Sequence, residues 1–333
     1  MAKSFSEKDA NLADLKGKTV AVVGYGSQGH AQAQNLRDSG INVLVAELKG
    51  TDNYKLAVQH HFQPVTAPEA AQKADLIQIL IPDEVQGPVY KKEIAPHLRA
   101  GQTLGFSHGF NIHFKQIVPP KFVDVIMVAP KGPGSLVRDL FVQGAGVPNL
   151  VAVYQNPSKK ALKTALAYSA GIGGTRAGVI KTTFKEETET DLFGEQAILC
   201  GGVTALIKAC FETLTQAGYQ PEICYYEVMH ELKLIVDLLV VGGMSYMRHV
   251  VSNTAEYGDL TRGPRVISPA VRRELKKMLK EIQTGKFAKE WINEYRSGGK
   301  RFEALRKADR KHPIEKVGKK MRRMMKWIDA KEM

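Results

Sequence analysis

Cysteine is scarce in this chain: 333 residues hold three, Cys200, Cys210 and Cys224, each in an apolar run. Thiols so placed exclude a disulfide framework and suggest reduced cysteines in a cytoplasmic protein, with Cys200 packing rather than reacting. Long hydrophobic runs are missing as well. No stretch reaches the roughly 18 apolar residues a membrane helix needs, and residues 234–241 end in Gly242-Gly243, so no membrane partner is expected. Residues 1–19 are polar, mix both charges and contain no apolar signal region. No internal repeat, zinc-finger spacing, aromatic stacking platform or basic zipper is present. What remains is ordinary globular material, 44% hydrophobic and 24% charged, long enough for two domains with a full core.

Charge is abundant but lopsided. The formal net charge is +13, and from Arg262 onward 23 Lys and Arg stand against 9 Asp and Glu. Such a surplus could attract a polyanion. Here the basic residues are interleaved with apolar ones and are not massed as an arm, so a solvated helical face is the reading and nucleic acid is not an expected partner.

The first half alternates strand and helix patterns. Thr19-Val20-Ala21-Val22-Val23 reads as a strand and runs into Gly24-Tyr25-Gly26-Ser27-Gln28-Gly29, followed by a helical pattern over 30–39 and a second strand over 41–46. Strand, glycine turn, helix and strand within about thirty residues is the context that makes a G-x-G-x-x-G a dinucleotide site, with the pyrophosphate on the helix N-terminus. Further strands are predicted at 76–81, 103–107, 123–128 and 150–154, giving a doubly wound parallel sheet. Ligands gather beyond the carboxyl ends of such strands. There the chain carries Pro82-Asp83-Glu84-Val85-Gln86, His108-Gly109-Phe110 and Pro130-Lys131-Gly132-Pro133-Gly134, which places His108 and Lys131 to meet a substrate beside the nicotinamide.

After Thr182 strand signals vanish. Helical runs are predicted at about 188–217, 222–241, 244–257, 268–282, 286–296 and 300–308, then a basic stretch over 314–331. Gly218 and Pro221 suit a helix end and a first turn. The first two runs are apolar nearly all round and should be buried, partly against another subunit. They also carry acids. Asp191 and Glu195 are four apart, as are Glu227 and Glu231, so each pair shares a helix face. Four carboxylates on apolar helices are costly unless a cation meets them. With no Cys or His at ligand spacing, a hard, oxygen-loving ion such as Mg²⁺ fits better than zinc. Salt bridges to the basic tail are the alternative.

Several blocks together resemble the ketol-acid reductoisomerases of the short (class I) form over essentially the whole chain. They are Gly24 to Ala31, Pro82 to Gln86, Gly105-Phe106-Ser107-His108-Gly109-Phe110, Ala129-Pro130-Lys131-Gly132-Pro133-Gly134, Asp191-Leu192-Phe193-Gly194-Glu195-Gln196, Leu199-Cys200-Gly201-Gly202, His230 to Asp237, and Ser252-Asn253-Thr254-Ala255-Glu256-Tyr257-Gly258-Asp259. The resemblance implies an α/β fold: a Rossmann domain over 1–182, then an all-helical, knotted domain over 183–328 for metal, substrate and dimerisation, with 329–333 as a tail. It implies two Mg²⁺ ions and the second step of valine, leucine and isoleucine synthesis. The substrate would be 2-acetolactate or 2-aceto-2-hydroxybutanoate. Metals would polarise the ketone and favour ionisation of the hydroxyl, an alkyl group would migrate from C2 to C3, and NAD(P)H would reduce the new keto acid to a 2,3-dihydroxy-3-methyl acid. By the same resemblance Asp191 bridges both ions, Glu195 completes one site, and Glu227 and Glu231 serve the other from a partner subunit. Glu231 and His108 manage protons, Lys131 helps place water or substrate, Ser252 holds the substrate carboxylate, and Gly24 to Gly29, Asp83 to Gln86 and Gly134 line the coenzyme.

The chain departs from the family pattern after the second strand, at Glu47-Leu48-Lys49-Gly50-Thr51-Asp52-Asn53-Tyr54. Leu48 replaces the usual Arg, and acids stand at Glu47 and Asp52. Glu47 can accept from a free ribose 2′-hydroxyl and repel a phosphate. Lys49, Thr51 and Asn53 could still hold a phosphate weakly, so NADH preference or dual use with NADPH is expected. His249-Val250-Val251, where relatives often carry Tyr and Ser, is a smaller departure. Two other classes fit parts of the chain. A β-hydroxyacid dehydrogenase would need no metal, and a nucleotide-sensing regulator with a basic tail would not turn over.

Overall fold

The computed structural model describes residues 2–328, 330 and 331, so most of the expected tail, 329–333, lies outside the described residues. The chain divides into two compact units, Met1–Thr190 and Asp191–Met333.

The first unit is built on eight strands: β1 (Ser4–Phe5), β2 (Thr19–Val23), β3 (Asn42–Ala46), β4 (Leu76–Ile79), β5 (Thr103–Phe106), β6 (Asp124–Pro130), β7 (Asn149–Gln155) and β8 (Val179–Lys181), in spatial order β1-β8-β7-β6-β5-β4-β2-β3. Strands β3, β2, β4, β5 and β6 are parallel. Their residues alternate between two cores. Val20 and Val22 join Leu36 and Tyr168 on one face, while Ala21 and Val23 join Ile77, Ile79 and Leu104 on the other. Burial on both faces is why these strands read as unbroken apolar runs.

The expectation of a wholly parallel sheet needs correction. β7 runs antiparallel to β6, with Pro130 opposite Asn149 and Val125 opposite Gln155, and β8 then runs parallel to β7. After the helix Gly134–Val142 the chain folds straight back beside β6 instead of crossing over. Strand and helix alternation looks the same in either case, so sequence pattern could not reveal the direction. The two-residue β1 and three-residue β8 pair antiparallel and were too short to show a period.

In the second unit Phe184–Gly194, which begins in the first unit, leads through a π-helical turn, Glu195–Leu199, into Gly201–Gln216. Pro221–Tyr225 leads through a second π turn, Tyr226–His230, into Glu231–Val250. Then follow Asn253–Val266, Pro269–Gln283, Lys286–Arg296, Lys300–Asp309 and Pro313–Met324. The expected break at 242–243 is present as a kink between two helical stretches. Gly243 takes φ 76° inside Glu231–Val250, and the next helix starts only after the Ser252 cap.

Phe211, Cys224, Tyr225, Ile314 and Met321 form a small core in this unit. Burial of the first two long helices is not seen in the single chain. Only Phe211 of Gly201–Gln216 is buried and nothing in Glu231–Val250 is, leaving Leu206, Leu234, Val240, Val241 and Met244 exposed. Cys200, expected to pack, is exposed too. Contrary to the expectation from sequence, some segments do reach membrane length. Phe184–Gln216 does so by length and composition, and Pro221–Val250 with Asn253–Val266 does so as a pair bent by 109°. Core helices of soluble assemblies meet the same criteria, so this is weak evidence for a span.

Candidate active site

The glycine turn joins the end of β2 to the helix Ser27–Asp38. Gly24 adopts φ 98°, which a side chain would strain, and its N–H donates to Ala46 O at 2.8 Å. A Cβ on Gly29 would lie 2.0 Å from Gly24 O, whereas one on Gly26 would meet nothing within 4 Å. The turn therefore packs tightly on its inner side and is open where a pyrophosphate would approach the helix N-terminus. Gly134 abuts it, since a Cβ there would fall 1.8 Å from Ser27 O, and Gln28 Nε2 donates to Gly132 O at 2.9 Å. Beneath it, Gln32 Nε2 donates to Ser107 Oγ at 3.1 Å, tying this helix to the residue before His108.

Glu47 ends the neighbouring strand edge. Its Oε2 accepts the Tyr25 N–H at 2.8 Å and its Oε1 the Leu48 N–H at 2.8 Å. Thr51 caps the helix Asp52–Gln59 by accepting the Tyr54 N–H at 3.1 Å, and it donates to Leu48 O at 2.8 Å. Asp52 pairs with Lys55 at 2.8 Å, Asn53 is exposed, and Leu48 is 70% exposed.

Beyond β4, Asp83, Glu84, Val85 and Gln86 open the helix Asp83–Val89. Asp83 Oδ1 accepts from Asn111 Nδ2 at 3.2 Å and Gln86 Nε2 at 3.3 Å. Burial pushes the Asp83 carboxyl up to about 6, against the opposing pull of His108.

His108 and Lys131 are brought together by a residue that sequence reading did not single out. Glu187, 1% exposed, receives His108 Nδ1 at 3.2 Å, the Gly109 N–H at 3.1 Å and Lys131 Nζ at 3.0 Å. Burial alone would raise its carboxyl; the bond and charge of His108, then of Lys131, outweigh that and hold it below the ordinary range. Gly109 must be glycine, because a Cβ would lie 2.3 Å from Thr188 Oγ1 and 2.8 Å from Phe184 O. A usable signal existed: Glu187 stands four before Asp191, extending the face of Asp191 and Glu195 by one turn.

On that helix the carboxylates of Glu187 and Asp191 approach within 4.8 Å of each other. Glu195 begins the first π turn, while Glu227 lies inside the second and Glu231 just beyond it. Such turns are frequent at functional sites. Among the described residues, Glu195, Glu227 and Glu231 join no group of three or more possible metal ligands, so the quartet is not assembled within one chain. Ser252 is the N-cap of Asn253–Val266, accepting the Ala255 N–H at 3.2 Å.

A glycine-turn α/β unit with a His, Lys and carboxylate cluster at its strand ends, followed by helices, defines a nicotinamide-dependent oxidoreductase. Residues 14–178 match the model for the acetohydroxy acid isomeroreductase NADPH-binding domain, and residues 184–327 match that for the ketol-acid reductoisomerase C-terminal domain. The structure is similar to that of an NADH-preferring ketol-acid reductoisomerase from an uncultured archaeon, with 46% identity over 98% of this chain and 100% of the other and a TM-score of 0.94. A semialdehyde dehydrogenase NAD-binding protein from Cupriavidus necator, 17% identical over 80% of this chain and 99% of its own at a TM-score of 0.62, shares the fold alone. The chain belongs to the ketol-acid reductoisomerase family and is an NAD(P)H-dependent enzyme of that kind.

Proposed function

We propose that this enzyme converts 2-acetyl-2-hydroxy acids, 2-acetolactate and 2-aceto-2-hydroxybutanoate, into 2,3-dihydroxy-3-methyl acids, in branched-chain amino acid synthesis. The observation that carries the reading is the buried Glu187 holding His108 and Lys131, with Asp191 one turn on along the same helix. The donor set fits Mg²⁺: the acids offer only oxygen, and two of them approach on one helix face. Asp191 and Glu195 would hold the ions, with Glu227 and Glu231 supplied by a second copy of the chain. Bound Mg²⁺ supplies Lewis acidity toward the ketone and hydroxyl oxygens, and NAD(P)H supplies the hydride.

The protein's own groups do the rest. Glu187 fixes the His108 ring through Nδ1, which makes Nε2 the nitrogen able to exchange a proton. The same carboxylate holds the Lys131 ammonium beside the ring. Glu231 moves the second proton. The Ser252 hydroxyl, although it accepts an N–H as a cap, retains its own hydrogen for a substrate carboxylate.

Glu47 and the absence of an arginine at Leu48 support NADH preference. The carboxylate is anchored by two backbone N–H groups beside the glycine turn, where a 2′-phosphate would face its charge. The exposed apolar surfaces of Gly201–Gln216 and Glu231–Val250 support a homodimer at least, because single chains rarely leave such area open to water. The test is initial rates of NADH and NADPH oxidation with 2-acetolactate, with and without Mg²⁺. Mg²⁺-dependent oxidation, faster with NADH, is expected. No oxidation of either coenzyme with Mg²⁺ present would overturn the assignment.

A further inference from the structure

Tyr25 lies between the first two glycines of the turn, yet its side chain is fully buried. Its hydroxyl meets His60 Nδ1 at 3.0 Å, and His60 caps the far end of the helix Asp52–Gln59. Its N–H meets Glu47 Oε2 at 2.8 Å, at the near end of the same segment. One residue thus grips both ends of residues 47–60. The ring also packs edge-on to Phe62, at 5.7 Å between centroids, and the guanidinium of Arg37 lies over Phe62 at 4.8 Å while Arg37 Nη1 donates to His60 O at 2.5 Å. These contacts surround the tyrosine–histidine bond.

The geometry points to Tyr25 and His60 as a clamp that positions the 47–60 segment against the glycine turn, making His60 a specificity-positioning residue for the coenzyme although it does not contact it. The clamp rests on the reading that Glu47 and Thr51 face the adenosine ribose. With His60 neutral and Nδ1 unprotonated, the tyrosine hydroxyl donates to Nδ1; a protonated Nδ1 would instead donate to the tyrosine oxygen.

The surroundings favour the neutral ring. His30 and Arg37 on Ser27–Asp38, Arg138 on Gly134–Val142, and His61 beside it all face or flank the ring. Asp38 is engaged by Arg138 at 2.7 Å and by Arg37 at 3.3 Å. Burial first, and the electrostatic repulsion of these neighbours next, lower the proton affinity of His60. Protonation in acid would make Nδ1 a donor to the tyrosine oxygen and leave the buried tyrosine hydrogen without this acceptor, which should weaken the clamp and loosen coenzyme binding.

The test is direct titration of NADH and NADPH fluorescence with the full-length protein, from pH 8 to pH 5, without substrate or metal. His60→Leu and Tyr25→Phe should each weaken binding of the preferred coenzyme about five- to tenfold at pH 8, the loss of one buried hydrogen bond, and narrow the NADH to NADPH ratio. His60→Asn places an amide oxygen where Nδ1 stood; it should bind within about twofold of the natural protein and lose the weakening at low pH. Tyr25→Phe removes a single hydroxyl and stands in if His60→Leu does not fold. Unchanged affinity in Tyr25→Phe, or His60→Asn as weak as His60→Leu, overturns the clamp. If the natural protein binds NADPH in preference, the coenzyme assignment fails separately, and the clamp is judged by the same variants with NADPH.

Discussion

Replacing Glu187 by Gln tests the centre of the site. The carboxylate is 1% exposed and receives three donors, from His108, Gly109 and Lys131. Glutamine keeps the volume and one acceptor oxygen but turns the other position into an NH₂ that faces a donor. Removing one partner of a fully buried ion pair costs about 3–5 kcal/mol. Lys131 and His108 are 34% and 20% exposed, so water recovers part of that, leaving about 2–3 kcal/mol. At about 2–4 °C per kcal/mol for a unit of this size, the melting temperature at pH 7 should fall by about 4–12 °C. Turnover should drop by about a hundredfold, because His108 and Lys131 lose their common anchor. The pH dependence fixes the cause. The Glu187 carboxyl lies below its ordinary value of 4.5 in the folded protein, so its stabilisation is complete above 4.5 and is lost as pH falls through the lowered value. The gap between natural and variant melting temperatures should close in acid. An equal melting temperature at pH 7, or a gap that persists unchanged to the acid limit of folding, would refute the reasoning.

Asp83→Asn should act in the opposite sense. The folded carboxyl is raised from 3.8 to about 6, so Asp83 favours the fold below 3.8 and loses that contribution as pH rises through 6. The variant keeps Oδ1 as an acceptor and should be about 1–3 kcal/mol more stable at pH 8 and no more stable near pH 4, read by thermal melts without coenzyme. Gly134→Ala must push a Cβ into the Ser27 carbonyl; about 1–3 kcal/mol of stability and most NADH affinity should go, whereas unaltered fluorescence titrations would contradict the close approach. Val240→Asp, on an exposed apolar helix face, should shift sedimentation from dimer to monomer, and a natural protein that already sediments as a monomer would sink the dimer reading.

Most of the architecture was legible in order. The glycine turn, the five parallel strands, and the change to helices after Thr182 follow from local rules: apolar runs bounded by glycine, then apolar residues at helical spacing. Those rules say nothing of strand direction, so the antiparallel return of β7 appeared only in the fold. They also misjudge what covers an apolar helix, because composition shows that a face must be buried without showing whether the cover lies in the same chain. At the site, His108 and Lys131 were placed by the general position of strand ends. Glu187 was not, for it sits in a run of acids, Glu186-Glu187-Thr188-Glu189, where nothing local separates a solvated carboxylate from a buried one. Its role exists only because the helix Phe184–Gly194 lies on Gly109, close enough for one carboxylate to reach a ring from β5's end and an ammonium from β6's. The sequence by itself determined the chemistry available: a dinucleotide turn, oxygen ligands, a histidine and a lysine. Tertiary structure alone decided which acid is desolvated and whom it meets, because desolvation and hydrogen-bond distance depend on residues about eighty positions apart in the chain.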